Sequence, residues 1–522
     1  MLFPRVKTYK EKNGYFQFSD EIAICFADEV SKSLITAANE LIPFPLKATN
    51  QQNANIVLNC DPSVSNNYGY FKIDGASDKI IATFTSREGG RDALSVIGEL
   101  IKVTNQIATI NKVVIEDWPD LKFRSFMQDV GRKYVPMDQM KSQILLMAKA
   151  RMNVLHFHFT EYTGFGVAFK AFPELKGAAV TNGMQYTEDD IRELVEYANS
   201  LAIDIIPEID LPGHANAITN AYQNLLCKTT DGVKPNGWAL CVGSEETYVF
   251  LEKLLTEVTK LFKSEYVHLG TDEISMRDLE RDPTPIADWE RCSVCSAISK
   301  NETELFYHFL RRSYAILKKL NKKMIIWNDQ VDISTSPDIP RDILIEFWRV
   351  AGPHRGPIEG CSMQRFLDEG FDVINAHYPD TYIDLYVEYD NLKNWNPRTA
   401  TANDDNTKGK IIGADFCAWD VFKHFVQSVP VSTVFFADRF RNTTAADQGD
   451  VVVKAASEKL FGIEDFNVFN YTKKVIDLDE DLKIFKEDAN LDEVKTTLQN
   501  HTPRDIAEDY IKTTYLSLVD KT

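Results

Sequence analysis

The most informative chemical groups in this 522-residue sequence are two adjacent carboxylates, Asp272 and Glu273. An acidic dipeptide alone carries no message, because the chain contains others, such as Asp189-Asp190. This one follows an apolar strand through a turn, in the segment that runs from His268 to Glu273. Two neighbouring carboxyl groups can divide proton transfer and charge stabilisation between them, so this turn is the first candidate for a catalytic site.

Further polar and aromatic side chains stand at the ends of the other predicted strands. Such groups suit a sugar, because its hydroxyls take charged hydrogen bonds and its C–H faces stack on aromatic rings. The sequence has no phosphate-binding loop and no dinucleotide-binding glycine fingerprint, so we expect glycoside chemistry without a cofactor. The candidates at these strand ends are Arg124, Asp129, His158, Glu161, Asp210, His214, Trp327, Asp329, Trp348, Tyr382, Asp384 and Trp419.

A repeated strand–helix unit is predicted to position these groups. From Leu121 onward, apolar strands alternate with amphipathic helices, one of which opens with Thr187 as a helix-start signal. Only the helix between the fifth and sixth strands is not found. The pattern favours a closed eight-stranded parallel barrel, with its active site at the carboxyl ends of the strands. We therefore predict an α/β chain with a small α/β domain (residues 1–118), a (β/α)8 TIM barrel (119–430) and a helical C-terminal tail (431–522).

Five motifs along the chain resemble those of one enzyme family. They are Arg124–Arg132 on the first barrel strand, His156–Thr160 on the second, Pro207–His214 on the third, His268–Glu273 after the fourth and Tyr382–Asp384 on the seventh. In this order they are similar to the motifs of the family 20 glycoside hydrolases, the β-N-acetylhexosaminidases. The family signature His-x-Gly-Gly-Asp-Glu corresponds here to His-Leu-Gly-Thr-Asp-Glu.

The resemblance implies a mechanism in which the substrate's own 2-acetamido oxygen attacks the anomeric carbon. Glu273 would be the general acid and base, with a pKa raised toward neutrality, and Asp272 would stay ionised and orient the acetamido group. Tyr382 would donate to the acetamido oxygen, and His214, supported by Asp210 or Glu161, would tune Glu273. The substrate-binding residues that the resemblance implies are Arg124, Glu161, Trp327, Trp348, Asp384 and Trp419.

Three positions depart from the family pattern. Thr271 replaces the second glycine of the signature, so we expect the backbone there to avoid positive φ. Glu161 stands where the family usually has aspartate. Val421 stands where the family has glutamate after Trp419, which leaves open whether the terminal sugar of the oligosaccharide or glycoconjugate substrate is N-acetylglucosamine or N-acetylgalactosamine.

The net charge of the chain argues against two classes of partner. Lys and Arg number 58 against 77 Asp and Glu, a formal net charge of -19, which repels phosphate backbones and anionic lipid. We therefore expect neither nucleic acid nor a membrane as partner, while the oligomeric state stays open. Because no secretory signal is visible, we expect a cytoplasmic protein, or a secreted one if a leader was removed.

The cysteines predict neither a disulfide scaffold nor a metal site. The eight of them are too sparse for a disulfide framework. Cys292 and Cys295 form a lone Cys-x-x-Cys pair, and a zinc ribbon needs a second pair. We therefore expect these thiols to be structural or incidental, with no bound metal.

Two other functions remain open at this point. One is a catalytically silent protein that binds N-acetyl sugars on the same barrel, which the departures at Glu161 and Val421 support. The other is a barrel hydrolase that uses two protein carboxylates, with Asp272 as the nucleophile.

Overall fold

Short apolar segments in the first part of the chain form a mixed sheet in the computed structural model. The structure describes residues 2–177, 183–274, 287–334, 338–349, 361–378, 380–383, 395–419 and 429–443, together with residue 499. The strands are β1 (Thr8–Phe18), β2 (Ile22–Phe26), β3 (Leu46–Ala48), β4 (Ile56–Cys60), β5 (Phe71–Asp74), β6 (Ile80–Phe84), β7 (Lys102–Thr104) and β8 (Ile107–Asp117). They lie in the order β1-β8-β5-β6-β4-β2-β3, with β7 paired to β8.

Three helices accompany this sheet: α1 (Glu29–Lys32), α2 (Ile35–Leu41) and α3 (Arg87–Leu100). Ser86 caps the amino terminus of α3 by accepting a hydrogen bond from the backbone N–H of Gly89, as expected for a serine at this position. This helix packs against β4, β5 and β6, and its Glu88 and Asp92 form ion pairs with Arg124 and Arg441 of the barrel that follows.

The second part of the chain forms the predicted barrel, closed by eight parallel strands. Between the first two of its helices lies a small parallel ribbon, β11 (Val167–Ala168) with β12 (Tyr186–Thr187). The barrel strands are β9 (Phe123–Asp129), β10 (Val154–His158), β13 (Asp204–Glu208), β14 (Tyr266–His268), β15 (Lys323–Trp327), β16 (Leu344–Phe347), β17 (Val373–Asn375) and β18 (Ile411–Ala418). All eight coincide with strands predicted from the periodicity, so the fold class is confirmed.

The described helices around the barrel are α4 (Met137–Lys149), α5 (Glu188–Ser200), α6 (Asn216–Ala221), α7 (Glu245–Leu261), α8 (Glu302–Lys319), α9 (Met363–Asp368) and α10 (Val429–Arg441). The predicted start at Thr187 is present, because Thr187 and Asp190 exchange side-chain and backbone hydrogen bonds in a capping box. Between β15 and β16, residues 328–334 and 338–343 form no helix, in line with the missing helical pattern.

The last helix, α10, packs against α4, β9 and β18. It therefore belongs to the barrel and crosses the boundary predicted at residue 430. The rest of the predicted C-terminal tail lies outside the described residues, apart from residue 499. No helix in the described ranges is both long and apolar enough to cross a membrane.

The barrel interior consists of three layers of side chains, which is how small barrels fill their core. The lowest layer, toward the amino ends of the strands, is apolar: Phe123, Val154, Ile206, Tyr266, Ile325, Leu344 and Ile374. The middle layer is ionisable: His156, Glu208, His268, Glu346 and Asp415. The top layer is aromatic and contains Trp327, Trp348, Tyr382 and Trp419. The candidate site therefore rests on a charged floor.

Candidate active site

The turn after β14 places the two adjacent carboxylates at the top of the barrel. Gly270 has φ 62° and Thr271 has φ 77°. A Cβ on Gly270 would overlap the Asp210 carboxylate, so glycine is required for this close approach. The expectation that Thr271 avoids positive φ is wrong.

Tertiary contacts explain the unusual backbone of Thr271. Its side chain is fully buried, and its backbone N–H donates to Asp210 Oδ1 at 3.2 Å. A β-branched residue at positive φ is a strained conformer, and such strain is typical of functional sites. The strained turn directs Asp272 toward His214.

His214 lies between the acidic pair and a third carboxylate. Its Nδ1 is 3.0 Å from Glu161. Its Nε2 is 3.6 Å from Asp272 Oδ2 and 3.5 Å from Glu273 Oε2. Asp210 Oδ2 is 3.8 Å from the same nitrogen. The structure thus brings His214 together with Glu273, Asp210 and Glu161, the three carboxylates that the sequence analysis associated with it, and also with Asp272.

The pKa values of Asp272 and Glu273 are shifted in the directions opposite to those expected. Burial, and next the charge of Asp210, raises the pKa of Asp272 well above its usual value. Burial also opposes the charge of Glu273, but His214 and Arg349 outweigh it and lower the pKa of that carboxyl. The two carboxyls differ in their surroundings. The Glu273 side chain is 23% exposed and contacts both His214 and Arg349, whereas the Asp272 side chain is 12% exposed and contacts His214.

His214 itself is held in its protonated form. Burial disfavours the imidazolium, but Glu161, Asp210 and Asp272 raise the pKa of His214 well above its usual value. An imidazolium donates from both ring nitrogens. It therefore links Glu161 on one side to the acidic pair on the other.

The arginine of the first-strand motif that reaches the site is Arg132 and not the predicted Arg124. Arg132 lies just beyond the carboxyl end of β9 and forms ion pairs with Asp129 at 2.8 Å and with Glu161. Its guanidinium lies 5.4 Å from the centroid of the Trp419 ring. The signal was present, because Arg132 closes the same first-strand motif that begins with Arg124.

Arg124 lies at the opposite end of the barrel, so its prediction as a sugar ligand is wrong. It is fully buried. Its guanidinium donates to the carbonyl oxygen of Arg151 at 3.0 Å and that of Leu121 at 2.9 Å, and forms an ion pair with Glu88 of α3. Arg124 therefore joins the small domain to the base of the barrel.

The predicted aromatic residues do form one cluster over the barrel. Trp348 and Tyr382 stack with ring centroids 6.1 Å apart. Trp419 lies 6.2 Å from Tyr382 and 6.1 Å from Trp327. Trp348, Tyr382 and Trp419 are each 7–9% exposed, whereas the deeper Trp327 is 1% exposed and donates its indole N–H to Glu208 at 2.8 Å.

Two further residues contact the acidic pair, and only one of them, Asp329, was a candidate from the sequence. Asp329 accepts hydrogen bonds from the backbone N–H of Glu273 at 3.0 Å and from Trp348 Nε1 at 3.1 Å. Arg349 lies 3.3 Å from Glu273 Oε1 and stacks on Trp348, 3.8 Å from the ring centroid. Asp329 had been noted at its strand end, but no pattern marked Arg349. Predicted Asp384, and Val421 with its departure from the family, lie outside the described residues.

The charged floor is an ion-paired network. Glu208 accepts from His158 Nδ1 at 2.7 Å and lies 2.8 Å from His156 Nε2. Burial disfavours the charge of His158, but Glu208 raises its pKa to about 10. Asp415, buried beside Glu346, has a pKa raised to about 8. These groups hold protons at neutral pH beneath the aromatic layer.

A possible metal-ligand set lies outside the barrel floor. The sulfur atoms of Cys227, Cys241, Cys292 and Cys295 all lie within 4.8 Å of one another, and all four residues are buried. The interpretation of Cys292-Ser-Val-Cys295 as a lone pair is therefore wrong. The second pair comes from a segment some fifty residues earlier, which sequence spacing does not reveal.

A scan of family models identifies the barrel. The model described as glycosyl hydrolase family 20, catalytic domain, matches residues 121–428. β-Hexosaminidase subunit A1 of Dictyostelium discoideum is 28% identical over 346 residues, which cover 64% of this chain and 62% of that protein. The β-hexosaminidase of Vibrio furnissii is 27% identical over 368 residues, which cover 65% and 56%. These matches thus span less than two thirds of each relative's length.

Solved structures share the fold. The exo-β-N-acetylglucosaminidase of Vibrio harveyi, in complex with N-acetylglucosamine, superposes with a TM-score of 0.74 at 21% identity, covering 88% of this chain and 76% of that one. The N-acetyl-β-hexosaminidase of Streptomyces plicatus, in complex with Thio-NAglucal, gives a TM-score of 0.70 at 19% identity, covering 90% and 95%. The similarity extends beyond the barrel to most of the chain.

Proposed function

The chain belongs to glycosyl hydrolase family 20, and on that premise we propose that it is an exo-acting, retaining β-N-acetylhexosaminidase. One observation carries the proposal: Asp272 and Glu273 lie side by side with His214 within 3.6 Å of both carboxylates, and Asp329 links Glu273 to Trp348 of the aromatic cluster. One proton donor next to one charge-stabilising carboxylate is what substrate-assisted hydrolysis needs, because the substrate supplies its own nucleophile.

Glu273 moves the proton in both steps. In the first, the 2-acetamido oxygen attacks C1 while Glu273 protonates the glycosidic oxygen, so the C1–O bond breaks and an alcohol leaves with that proton. In the second, Glu273 takes a proton from water as the water oxygen bonds to C1 and the acetamido group is restored. Two inversions at C1 give net retention.

Asp272 receives the acetamido N–H and stabilises the positive charge that develops on the cyclised group. This hydrogen bond favours the ionised carboxylate, so substrate binding lowers the pKa of Asp272 from its raised value. The sugar also covers Glu273, which raises the pKa of that carboxyl by desolvation. Bound substrate thereby establishes the protonation states that the chemistry requires, with Glu273 protonated and Asp272 ionised.

The surrounding side chains hold the sugar. Tyr382 donates its hydroxyl to the acetamido oxygen and fixes it for attack, while the tryptophan rings enclose the acetamido methyl group and the C–H face of the sugar. Arg132, next to Glu161, binds ring hydroxyls in the place predicted for Arg124. The tryptophans in this role are Trp327, Trp348 and Trp419. Asp384 stays a predicted ligand.

The proposed substrate is an oligosaccharide or glycoconjugate that ends in a β-linked N-acetylhexosamine, either N-acetylglucosamine or N-acetylgalactosamine. The decisive experiment compares hydrolysis of the aryl β-glycosides of both sugars. We expect turnover of at least one, inhibition by a thiazoline that mimics the cyclised acetamido group, and a Glu273→Gln variant that binds the thiazoline without turnover. An Asp78→Asn variant, exposed on the small domain, serves as the control with unchanged activity.

Two results would contradict the proposal. Binding of N-acetyl sugars with no hydrolysis of either aryl glycoside would identify a catalytically silent sugar-binding protein. A trapped covalent glycosyl-enzyme on Asp272 would identify a hydrolase that uses two protein carboxylates.

A further inference from the structure

Four buried thiols come together beside the active site, although they are distant in sequence. Cys227 and Cys241 flank the loop that follows the short 3-10 helix Gln223–Leu225, and Cys292 and Cys295 lie before α8. All four residues are at most 4% exposed. Cys241 Sγ is 3.6 Å from Cys292 Sγ and 3.7 Å from Cys295 Sγ.

These separations fit a metal tetrahedron better than disulfides. A disulfide needs two sulfurs about 2.05 Å apart, joined in exclusive pairs. In a tetrahedral zinc site with Zn–S bonds of about 2.3 Å, neighbouring sulfurs are about 3.8 Å apart. Here Cys241 is nearly equidistant from two other sulfurs, and all four lie within 4.8 Å of one another. That is the arrangement of four ligands around one centre.

The backbone around the thiols is also built like a metal-binding knuckle. The N–H of Lys228 points at Cys292 Sγ at 3.3 Å, and such amide donors stabilise a ligating thiolate from outside the coordination shell. The two segments are joined by an isolated antiparallel bridge between Thr229 and Cys292. A Cβ on Gly243 would come within 2.8 Å of the backbone of Cys295, so only glycine permits this close packing.

We propose that Cys227, Cys241, Cys292 and Cys295 bind one structural Zn²⁺ as a tetrathiolate. Four protein ligands close the coordination sphere and leave no position for a substrate or water, which distinguishes a structural site from a catalytic one. Zinc also suits a soft, tetrahedral four-sulfur set and needs no redox chemistry. The inference concerns metal binding and stability, and it stands whether or not the proposed hydrolase activity is found.

The site clamps a loop that supports the active site. Trp238, three residues before Cys241, packs on His214 with ring centroids 4.4 Å apart. The N–H of Leu240 donates to the carbonyl oxygen of Pro212 at 2.9 Å, and Trp289 Nε1 donates to Leu240 at 2.9 Å. Zinc therefore ties the loop bearing Trp238 to the segment before α8, and loss of the metal would loosen the packing of His214.

The direct test is the metal content of the whole chain, purified under reducing conditions from zinc-supplemented medium. We expect one zinc per chain by elemental analysis, and a zinc-edge absorption spectrum with four sulfur neighbours at about 2.3 Å. A mercurial thiol reagent should release this zinc from the wild-type protein. Because this release of zinc is measured on the wild-type protein, the test remains valid even if a cysteine variant fails to fold.

Matched variants locate the site. Cys292→Ser and Cys295→Ser should lose the zinc and unfold at lower temperature, whereas Cys25→Ser, which alters a buried thiol of the small domain, should keep it. A folded wild-type protein with no zinc or with another metal, or disulfides among the four cysteines in non-reducing peptide mass spectrometry, would overturn the proposal. So would retention of zinc by both Cys292→Ser and Cys295→Ser.

Discussion

The two ends of the barrel use the same residue types for different purposes. At the amino end, Arg124 is fully buried and its guanidinium is taken up by backbone carbonyls and Glu88. At the carboxyl end, Arg132 is 16% exposed in its side chain and lies among carboxylates that outnumber the nearby cations. The ion pair of Arg124 with Glu88 joins the small domain to the barrel, whereas the excess of carboxylates around Arg132 and His214 retains protons at the carboxyl end.

A second network at the amino end of the barrel also consists of buried, oppositely charged side chains. Asp117 of β8 pairs with Arg151 at 2.7 Å and with Arg441 of α10 at 2.8 Å, and Arg441 pairs in turn with Asp92 of α3 at 2.7 Å. All four side chains are fully buried. Because each charge there faces an opposite one, this end is built for stability, whereas the carboxyl end keeps carboxylates crowded together.

The largest effect should come from Asp272→Asn at the carboxyl end. Loss of one preorganised charge partner lowers kcat by about 10²–10³-fold. The free energy of unfolding should not fall, because burial already disfavours the ionised form of Asp272. Steady-state kinetics and urea denaturation measure the two quantities. An Asp272→Asn variant that loses stability and keeps its kcat would show that this carboxylate serves stability and not catalysis.

The amino end should respond in the opposite way, to Arg124→Met. Breaking a buried ion pair leaves Glu88 without its charge partner and lowers the free energy of unfolding by about 3–5 kcal/mol. The kcat of the folded fraction should stay at the wild-type level. Arg365→Met, on the surface of α9, is the matched control and should change neither quantity. Loss of kcat without loss of stability would restore Arg124 as a sugar ligand.

Arg132→Met tests the other arginine of the same strand motif. A charged hydrogen bond contributes about 1.5–3 kcal/mol, so kcat/KM should fall about 10–100-fold, chiefly through KM. Arg132→Lys should recover only part of this, because lysine lacks the planar fork that contacts both Asp129 and Glu161. Equal kcat/KM for Arg132→Met and the wild-type protein would exclude Arg132 from the pocket.

A dependence of stability on pH should arise in the charged floor and at the carboxyl end. The pKa of His158 is raised to about 10, that of Asp415 to about 8 and that of Asp210 to about 7. Raised values mean that the native state binds more protons than the unfolded chain. Stability is then fully present below the unfolded pKa values and is lost as the pH rises through the folded ones.

Between pH 7 and 8 we therefore expect the free energy of unfolding to fall by about 1.4 kcal/mol for each proton that only the native state retains. Urea denaturation at several pH values measures the slope. Arg124→Met should show the wild-type slope, because arginine does not titrate in this range. A stability that increases from pH 7 to 8 would contradict the raised pKa values.

The fold and most of the site could be predicted because their signals are local. Strand and helix periodicities repeat over a few residues, and all eight barrel strands lie where they were expected. Adjacent Asp272 and Glu273 follow β14 directly, and a closed parallel barrel brings every strand's carboxyl end to one rim. His214 and Glu161 met the acidic pair for the same reason.

The arginine predicted from the first-strand motif was the wrong one, although the strand itself was predicted correctly. Arg124 is the second residue of β9 and Arg132 follows its end, and the five residues from Arg124 to Asp129 alone extend about 17 Å along the strand. The motif includes both residues, but only one can reach the rim. The predicted strand, together with the rule that barrel active sites lie at the carboxyl ends of the strands, points to Arg132.

The sequence by itself determined the barrel, the family and the acidic pair, because these depend on local periodicity and on residues adjacent in the chain. Tertiary structure alone decided three other features, because each depends on groups far apart in sequence. Contact with Asp210 imposes positive φ on Thr271. Unequal burial and nearby cations set the pKa order of Asp272 and Glu273. Chain folding over some seventy residues gathers the four cysteines.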